Sequence, residues 1–375
     1  MSIQSNGLIG SARPLAEVYD LVLLDLDGVV YIGQAAVSGA AEALDRVRAA
    51  GVRTAFVTNN ASRPPHAVGE HLRELGVHAE DDDVVTSAQA AAALLARRLP
   101  AGAAVLVVGG EGLYRALEAV GLKSVSSMDE APTAVVQGFS PDIGWRLLAE
   151  GTRGVRSGLP WIATNTDLTV PTPYGPAPGN GTLVAAIASA TGIAPEVAGK
   201  PQPTLFHEAV ERYGAQRPLV VGDRLDTDLE GARAAGMDGL LVLTGVHRVP
   251  DLLAAAPQRR PHLIARDLNG LLDPHPDVVP TDRGWSVGEA LVEAVAADDG
   301  GEAGDGDSGS ETDPGKDRRT AELRVVRPGT DPIDLVRAGC AAAWAYADSH
   351  PGAQFDPASL LDALYRLEEA GPWER

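Results

Sequence analysis

The chain has 375 residues, enough for two or three domains, and 45% of them are hydrophobic, which suffices for a sizeable buried core. The net charge is −20 and no block is rich in Lys or Arg, which argues against nucleic acid or an anionic membrane as the main partner. A single cysteine, Cys340, excludes an intrachain disulfide and a thiolate metal cluster and fits a reducing cytosol. The N-terminal residues lack the apolar core of a signal peptide, and no apolar run approaches the roughly 20 residues of a bilayer span. We therefore expect a cytoplasmic protein.

The first part of the chain alternates predicted strands and helices. After an expected flexible lead over residues 1–17, the sequence predicts strands at LVLLDLD (21–27) and VRTAFVTNN (52–60), each followed by a helix, at 40–51 and 65–76. This order is typical of a parallel sheet with helices on both faces.

A second α/β unit is predicted inside the first, over residues 84–195. Its predicted strands are 103–110, 133–139 and 160–167, and its predicted helices lie near 87–98, 111–120, 142–157 and 181–191. The pattern of the first unit returns afterwards, so we expect one core built from residues 18–83 and 196–275.

The composition changes in the C-terminal extension, residues 276–375. Residues 298–313 contain seven acidic residues and no Lys or Arg, and we expect residues 298–320 to be disordered. A strand at 321–329 and two further helices are predicted beyond them. Packing or oligomerisation is the expected role of this extension, so a homo-oligomer is left open.

Two aspartates, Asp25 and Asp27, end the first predicted strand and precede Gly28. An Asp-Gly pair after a strand is also a common turn, and a solvated loop explains this pair equally well when it is taken alone. We expect the chain to turn at the tip of this strand, which Gly28 permits.

The predicted strand LVVG (219–222) poses the same question, because Asp223, Asp226 and Asp228 follow it. For Asp226 and Asp228 the alternative is a favourable charge at a helix N-terminus. Ligands bind outside the carboxyl ends of parallel strands, so acidic residues from two such ends can converge. Converging carboxylates repel one another unless a cation lies between them, and an oxygen-only ligand set with a phosphate suits Mg²⁺. We therefore expect magnesium-dependent phosphoryl transfer.

Four motifs in chain order resemble the haloacid dehalogenase superfamily: Asp25-Leu-Asp27-Gly28, Thr58-Asn59-Asn60, Gly199-Lys200-Pro201 and Gly222-Asp223 with Asp228. The similarity covers residues 18–275 and is to the class IIA branch of small-molecule phosphatases, which includes p-nitrophenylphosphatases. It implies an α/β fold in which a Rossmann-like parallel-sheet core carries an inserted α/β cap, residues 84–195. Dehalogenases of the superfamily lack the second aspartate, so Asp27 favours phosphate esters over carbon–halogen bonds.

The resemblance also implies catalytic roles. Asp25 is expected to be the nucleophile, and Asp27 the general acid and base, which also offers its carbonyl to the metal. Thr58, the backbone of Asn59 and Lys200 are expected to bind the phosphoryl group. Lys200 stands out because the chain has only three lysines. Asp223 completes the expected Mg²⁺ site, with Asp228 bound directly or through a water.

The substrate prediction rests on the cap loop TNTDLTVPTPYGPAPGNGTL (164–183) and on the residues after the second motif. Expected substrate-binding residues are Asn60, Ser62, Arg63, Asn165, Asp167 and Asn180, although turn formation explains each of the cap residues, taken singly, about as well. This loop, GDRLDTD and the extra C-terminal region resemble glycerol-3-phosphate phosphatases, which implies glycerol 3-phosphate as the substrate. Pyridoxal phosphate, phosphoglycolate, sugar phosphates and aryl phosphates are the alternatives.

Two other kinds of protein remain open at this point. A phosphomutase of the same superfamily would retain its phosphoenzyme. A non-catalytic regulatory protein on the same scaffold would have lost Asp25, Asp27 or Lys200, and all three are present. The expected partner is a small phosphomonoester, with no nucleic acid and no membrane.

Overall fold

The computed structural model describes residues 7–172, 174–296 and 320–369. Its strands are β1 Leu21–Leu24, β2 Tyr31–Ile32, β3 Ala35–Ala36, β4 Arg53–Thr58, β5 Val84–Thr86, β6 Ala104–Val108, β7 Lys123–Val125, β8 Ala134–Gln137, β9 Trp161–Ala163, β10 Thr169–Thr172, β11 Gly175–Pro178, β12 Glu196–Val197, β13 Pro218–Gly222, β14 Asp238–Val242, β15 Leu263–Ala265, β16 Val278–Thr281, β17 Gly284–Val287, β18 Ala290–Ala296, β19 Thr320–Arg327 and β20 Gln354–Asp356.

The α-helices are α1 Leu15–Val18, α2 Ala40–Ala49, α3 Pro65–Glu74, α4 Ser87–Ala96, α5 Glu111–Ala119, α6 Trp145–Arg156, α7 Asn180–Thr191, α8 Thr204–Tyr213, α9 Glu230–Ala234, α10 Val249–Leu253, α11 Pro332–Ser349 and α12 Ala358–Glu369. None of these helices combines the length and the apolar composition that a membrane span requires.

The first sheet has six parallel strands in the order β15-β14-β13-β1-β4-β5. All four residues of β1 are buried, as is typical of a central parallel strand covered on both faces. Helices α4 and α8 pack on one face, and α2 and α3 pack on the other. The predicted α/β core with a parallel sheet is confirmed.

The second sheet, also parallel, has the order β12-β9-β8-β6-β7, and the antiparallel hairpin β10–β11 extends from it. Strand pairing divides the chain slightly differently from the expected limits of 84 and 195. Val84–Thr86 pairs with β4 and belongs to the first sheet, while Glu196–Val197 pairs with β9 and belongs to the second. Short apolar segments at such crossings fit either sheet, and only the hydrogen-bond partner decides between them.

The expected flexible lead is corrected for residues 7–17. Leu8 and Leu15 are buried, the backbone of Ile9 bonds to His262, and Ser11 bridges to His275. Burial of two leucines and these backbone bonds hold the segment against the core. Residues 1–6 lie outside the described residues.

The C-terminal extension forms a third sheet in the order β16-β17-β18-β19-β20, antiparallel except for the β19–β20 pair. Helix α11 packs against this sheet and shares one apolar cluster with core residues such as Leu252 and Ile264. The extension is therefore packed onto the core. The stretch expected to be disordered, 298–320, lies outside the described residues apart from Thr320, which begins β19.

Candidate active site

Three neighbouring strands of the first sheet end at the same edge. Strand β1 lies between β13 and β4, and Leu24 is in register with Val221 and with Phe56. Because the strands are parallel, Asp25, Asp223 and Thr58 come to that edge together. The Asp25 amide also donates to the carbonyl of Val221, at 2.8 Å, which ties the end of β1 to β13.

A turn at Gly28 separates Asp25 from Asp27. Gly28 has φ +85°, and a Cβ there would meet the Asp223 carboxylate and Gly245, so both conformation and space favour glycine. Its N–H donates to the carbonyl of Tyr31 at 2.8 Å, which starts the small β2–β3 hairpin. The turn lets two closely spaced aspartates occupy different places at one strand end.

Lys200 is buried, at 4% exposure, between two carboxylates. Its ammonium donates to Asp25 Oδ1 at 2.6 Å, to Asp228 Oδ1 at 2.7 Å and to the Val57 carbonyl at 3.2 Å. Burial alone would lower the pKa of the ammonium, but the Asp228 and Asp25 carboxylates outweigh it and hold this pKa above its usual range. Lys200 is therefore a fixed positive charge beside Asp25.

The donor set fits a hard divalent cation. Carboxylate oxygens of Asp25, Asp223 and Asp228 lie within 4.8 Å of one another. Asp223 Oδ2 accepts from the Val246 amide at 2.6 Å, whereas its buried Oδ1 has no hydrogen-bond partner among the described residues. Such an orphaned carboxylate oxygen in an all-oxygen cluster is what a Mg²⁺ ligand looks like before binding.

Asp223 and Asp228, which follow β13, differ in whether a carboxylate oxygen is left without a hydrogen bond. Asp228 Oδ1 accepts from Lys200, and its Oδ2 accepts from the Arg224 amide at 3.1 Å. Asp223 therefore has the freer oxygen for a cation. Burial raises the pKa of Asp223 to about 6 and that of Asp228 to about 7, with the Asp25 charge adding to the shift at both.

Asp27 is exposed to solvent at the open side of the cluster. Surrounding protein atoms, and next the negative charge of Asp25, raise the pKa of Asp27 to about 6, which suits an acid that must release and regain a proton. Tyr31 and His71, which the sequence did not single out, lie beside it, and their rings meet edge to face at 5.2 Å. The close spacing of Tyr31 to Asp27 is a usable signal in the sequence; none points to His71.

The residues after β4 form a compact turn. The Thr58 hydroxyl accepts from the Asn60 amide at 3.1 Å, and Asn60 Oδ1 accepts from the amide and the hydroxyl of Ser62, at 2.9 and 2.7 Å. Arg63 is exposed, and its charge reaches Asp27 and lowers the pKa of that carboxyl. Asn60 and Ser62 therefore shape the turn, while Arg63 is exposed to solvent near Asp27.

The three residues expected from the cap differ in access. Asn165 and Asn180 are buried; Asn165 Nδ2 donates to the Asn59 carbonyl and Asn180 Nδ2 to the Asn165 carbonyl, both at 2.7 Å. Asp167 is half-buried, and its two oxygens lie 3.4 and 3.3 Å from Asn59 Nδ2. Burial raises the pKa of Asp167. The structure thus brings Asn165 and Asp167 to the site and places Asn180 behind them.

Two family models match this chain. A haloacid dehalogenase-like hydrolase model matches residues 22–123, and a HAD-hydrolase-like model matches residues 197–271. D-glycerol 3-phosphate phosphatase of Mycobacterium tuberculosis is 45% identical over 279 residues, which is 73% of this chain and 77% of the relative. An acid sugar phosphatase of Staphylococcus aureus is 38% identical over 236 residues, 62% of this chain and 90% of the relative.

Solved structures extend the similarity to the C-terminal extension. The crystal structure of the glycerol phosphate phosphatase from Mycobacterium tuberculosis in complex with magnesium has a TM-score of 0.77 and 41% identity, covering 95% of this chain and 99% of that one. A 4-nitrophenylphosphatase from Thermotoga maritima has a TM-score of 0.64 and 32% identity, covering 69% and 98% of the two chains. With the four motifs converging at one sheet edge, these similarities show that the chain belongs to the haloacid dehalogenase superfamily.

Proposed function

We propose that this protein is a magnesium-dependent phosphatase that hydrolyses a small phosphomonoester, and that its substrate is glycerol 3-phosphate. The observation that carries the proposal is the Asp25 carboxylate, held 2.6 Å from the Lys200 ammonium and within a carboxylate cluster that fits Mg²⁺. A carboxylate beside a fixed cation and a metal site is suited to attack on phosphorus.

The reaction has two steps on this chain's residues. An Asp25 oxygen attacks phosphorus and forms an aspartyl-phosphate, while Asp27 gives its proton to the leaving alcohol oxygen. Asp27 then takes a proton from a water whose oxygen attacks the phosphorus, which releases inorganic phosphate and restores Asp25. Lys200, the Thr58 hydroxyl and the Asn59 amide stabilise the phosphoryl oxygens.

A metal bound by Asp25, Asp223, Asp228 and the Asp27 carbonyl would supply positive charge that offsets the negative charge of the phosphate. In this proposal Asp228 binds the metal either directly or through a water. Its two oxygens already accept hydrogen bonds from Lys200 and Arg224, and direct binding would compete with these bonds.

Two observations support a small hydroxylated leaving group. The Mycobacterium tuberculosis relative is named a D-glycerol 3-phosphate phosphatase. Asp167 is half-buried near Asp25 and Lys200, Arg63 is exposed near Asp27, and both are polar groups that can bind hydroxyl groups. The acid sugar phosphatase relative makes sugar phosphates the second candidate.

A phosphate-release screen tests this proposal. Purified protein with Mg²⁺ is assayed on glycerol 3-phosphate, sugar phosphates, phosphoglycolate, pyridoxal phosphate and p-nitrophenyl phosphate, and the substrates are ranked by kcat/KM. We expect glycerol 3-phosphate to rank first. Another metabolite more than about tenfold better, which is roughly 1.4 kcal/mol in transition-state binding, would replace the substrate and leave the chemistry. Retained phosphoenzyme with transfer to a second substrate hydroxyl would instead indicate a phosphomutase.

The cytoplasmic location and a homo-oligomer stay predictions. Fractionation of cells and the mass of the protein in solution test them.

A further inference from the structure

The Lys200 peptide is held by the side chain of Asn59. Asn59 Oδ1 accepts from the Lys200 amide at 2.8 Å, and Asn59 Nδ2 donates to the Lys200 carbonyl at 3.1 Å. One amide side chain thus bonds to both backbone groups of the residue that carries the catalytic ammonium. The position of the Lys200 backbone limits which places the ammonium at the end of its side chain can reach, so fixing this peptide helps to fix the ammonium.

The inserted unit bonds to the same Asn59. Asn165 follows β9 of the second sheet, and its Nδ2 donates to the Asn59 carbonyl at 2.7 Å. Its Oδ1 accepts from the Asp167 amide at 3.1 Å, which places the Asp167 carboxylate beside Asn59 Nδ2. Asn165 therefore connects the second sheet to Asn59 and Asp167 together.

The backbone around Lys200 is also packed against the second sheet. The Ala198 amide donates to the Ala163 carbonyl at 2.9 Å. A Cβ at Gly199 would collide with the Thr164 carbonyl and with Asn59 Oδ1, so the chain passes between the two units with no space for a side chain. The segment that carries Lys200 therefore has contacts from both sides.

The buried position of Asn165 separates it from a substrate contact. Asn165 is 4% exposed, its Nδ2 and Oδ1 have partners within the protein, and Asn180 binds its carbonyl from behind. A group that is buried and already hydrogen-bonded offers little to a ligand, but it fixes the groups it binds.

We propose that Asn165 is a positioning residue: it holds Asn59, and Asn59 holds the Lys200 backbone, so the inserted unit sets the place of the catalytic ammonium. This inference rests on the proposed phosphatase function but not on the identity of the substrate. It differs from the sequence-based expectation that Asn165 binds the substrate, and the two roles have different kinetic signatures.

The test compares Asn165→Asp with Thr182→Val. Asn165→Asp keeps the shape and the Oδ1 acceptor but replaces the donor to Asn59 with a carboxylate oxygen. Thr182 is exposed, and its hydroxyl donates to the Leu168 carbonyl at 2.7 Å within the inserted unit, so Thr182→Val removes a hydrogen bond that does not cross to the core. Both variants are assayed on glycerol 3-phosphate and on p-nitrophenyl phosphate.

We expect Asn165→Asp to lower kcat at least about tenfold on both substrates, with KM changed by less than about threefold. The reason is that a misplaced ammonium weakens binding of the transition state whatever the leaving group. For Thr182→Val we expect kcat and KM to stay within about twofold of wild type. A loss confined to KM and to glycerol 3-phosphate would show that Asn165 contacts the substrate and would overturn the proposal. An unchanged kcat would overturn it as well.

Hydrogen exchange gives a readout that needs no activity. The Lys200 amide is the donor to Asn59 Oδ1, so we expect its exchange to be faster in Asn165→Asp than in wild type and unchanged in Thr182→Val. Equal protection of the Lys200 amide in the two variants would contradict the proposal, whether or not the protein is active. If the wild type hydrolysed none of the assayed esters, that result would by itself reject only the proposed function.

A second variant covers the case in which Asn165→Asp does not fold. Asn165→Leu has a side chain of similar size but no donor for the Asn59 carbonyl and no acceptor for the Asp167 amide. We expect it to lower kcat at least about tenfold on both substrates with little change in KM. A folded Asn165→Leu with unchanged kcat would overturn the proposal.

Discussion

Two buried clusters of charged side chains in this chain are built differently. In the active-site cluster, the carboxylates of Asp25, Asp223 and Asp228 lie close together, the Lys200 ammonium bonds to Asp25 and Asp228, and Asp223 Oδ1 has no partner among the described residues. In the cluster where α11 meets the core, Arg337 bonds to Asp334, to the Ile264 carbonyl and to a neutral His275.

The second cluster is balanced in charge and in hydrogen bonds. Arg337 Nη1 donates to Asp334 at 2.9 Å, and its Nη2 lies 2.9 Å from His275 Nδ1, while His275 Nε2 lies 2.8 Å from the Gly270 carbonyl. The short Nε2 contact to a carbonyl leaves Nδ1 as the acceptor of the Arg337 proton. This cluster holds the C-terminal extension to the core, and within the described residues it has no fully buried polar side-chain atom that lacks a hydrogen bond.

The two clusters differ in charge balance: the active-site cluster has more carboxylates than cations, whereas the Arg337 cluster has one of each. Burying like charges together destabilises a fold, so an excess of carboxylates is retained only where a ligand compensates for it. The excess of carboxylates and the unpaired oxygen therefore distinguish the active-site cluster from the Arg337 cluster, although both are buried and contain an ion pair.

The largest expected effect comes from replacing Asp25, the proposed nucleophile. Asp25→Asn should lower kcat to less than about a hundredth of wild type, because an amide cannot form the aspartyl-phosphate. Phosphate release in the presence of Mg²⁺ measures it. Asp226→Asn is the matched control, since Asp226 pairs with Arg224 and lies outside the carboxylate cluster. A rate above that limit in Asp25→Asn would reject the covalent mechanism.

Removing Mg²⁺ tests whether a cation compensates for the excess of carboxylates in the active-site cluster. We expect activity to disappear in excess chelator and to return with Mg²⁺ but not with Ca²⁺, which takes more oxygen ligands at longer distances. Mg²⁺ should also raise the thermal unfolding midpoint of wild type and should do so less for Asp223→Asn. Full activity in chelator, or the same Mg²⁺ stabilisation in Asp223→Asn, contradicts the metal assignment.

The smallest expected effect lies in the balanced cluster and depends on pH. Burial, and next the charge of Arg337, lower the pKa of His275 from 6.5 to about 4. The unfolded chain therefore binds more protons between these values, and stability is lost as pH falls from about 6.5 towards 4. Between pH 7 and 5 we expect wild type to lose up to about 2 kcal/mol more than His275→Gln, which keeps a donor and an acceptor without titrating.

Urea unfolding at both pH values, with saturating Mg²⁺ to hold the active-site carboxylates constant, measures the difference. Equal losses in wild type and His275→Gln would mean that folding does not lower the pKa of His275.

Sequence patterns located the active-site edge of the sheet, but they did not reveal the contacts that hold the C-terminal extension to the core. Asp25, Thr58 and Asp223 each follow an apolar run, and parallel strand ends meet at one edge. No pattern in the sequence predicted a buried histidine beside the C-terminal extension, yet His275 is 2% exposed. Its partner Arg337 is 62 residues away in the chain, and no local pattern links them.

The cap residues show the same limit at the site. Asn165, Asp167 and Asn180 lie in one polar, turn-rich loop, which is equally compatible with binding a substrate and with forming turns. Their burial and partners differ, and only the structure shows that two of them bond to backbone carbonyls.

The sequence by itself determined the chemistry: which carboxylates end which strands, which lysine returns to them, and that the core is a parallel α/β sheet. These follow from local apolar runs and from residue types that few other roles require. The tertiary structure decided which sheet takes the crossing segments, how the extension is fastened, and whether an asparagine faces a ligand or a carbonyl. Those outcomes depend on hydrogen bonds between residues far apart in the chain, such as Asn165 to Asn59, 106 positions away, which no local pattern encodes.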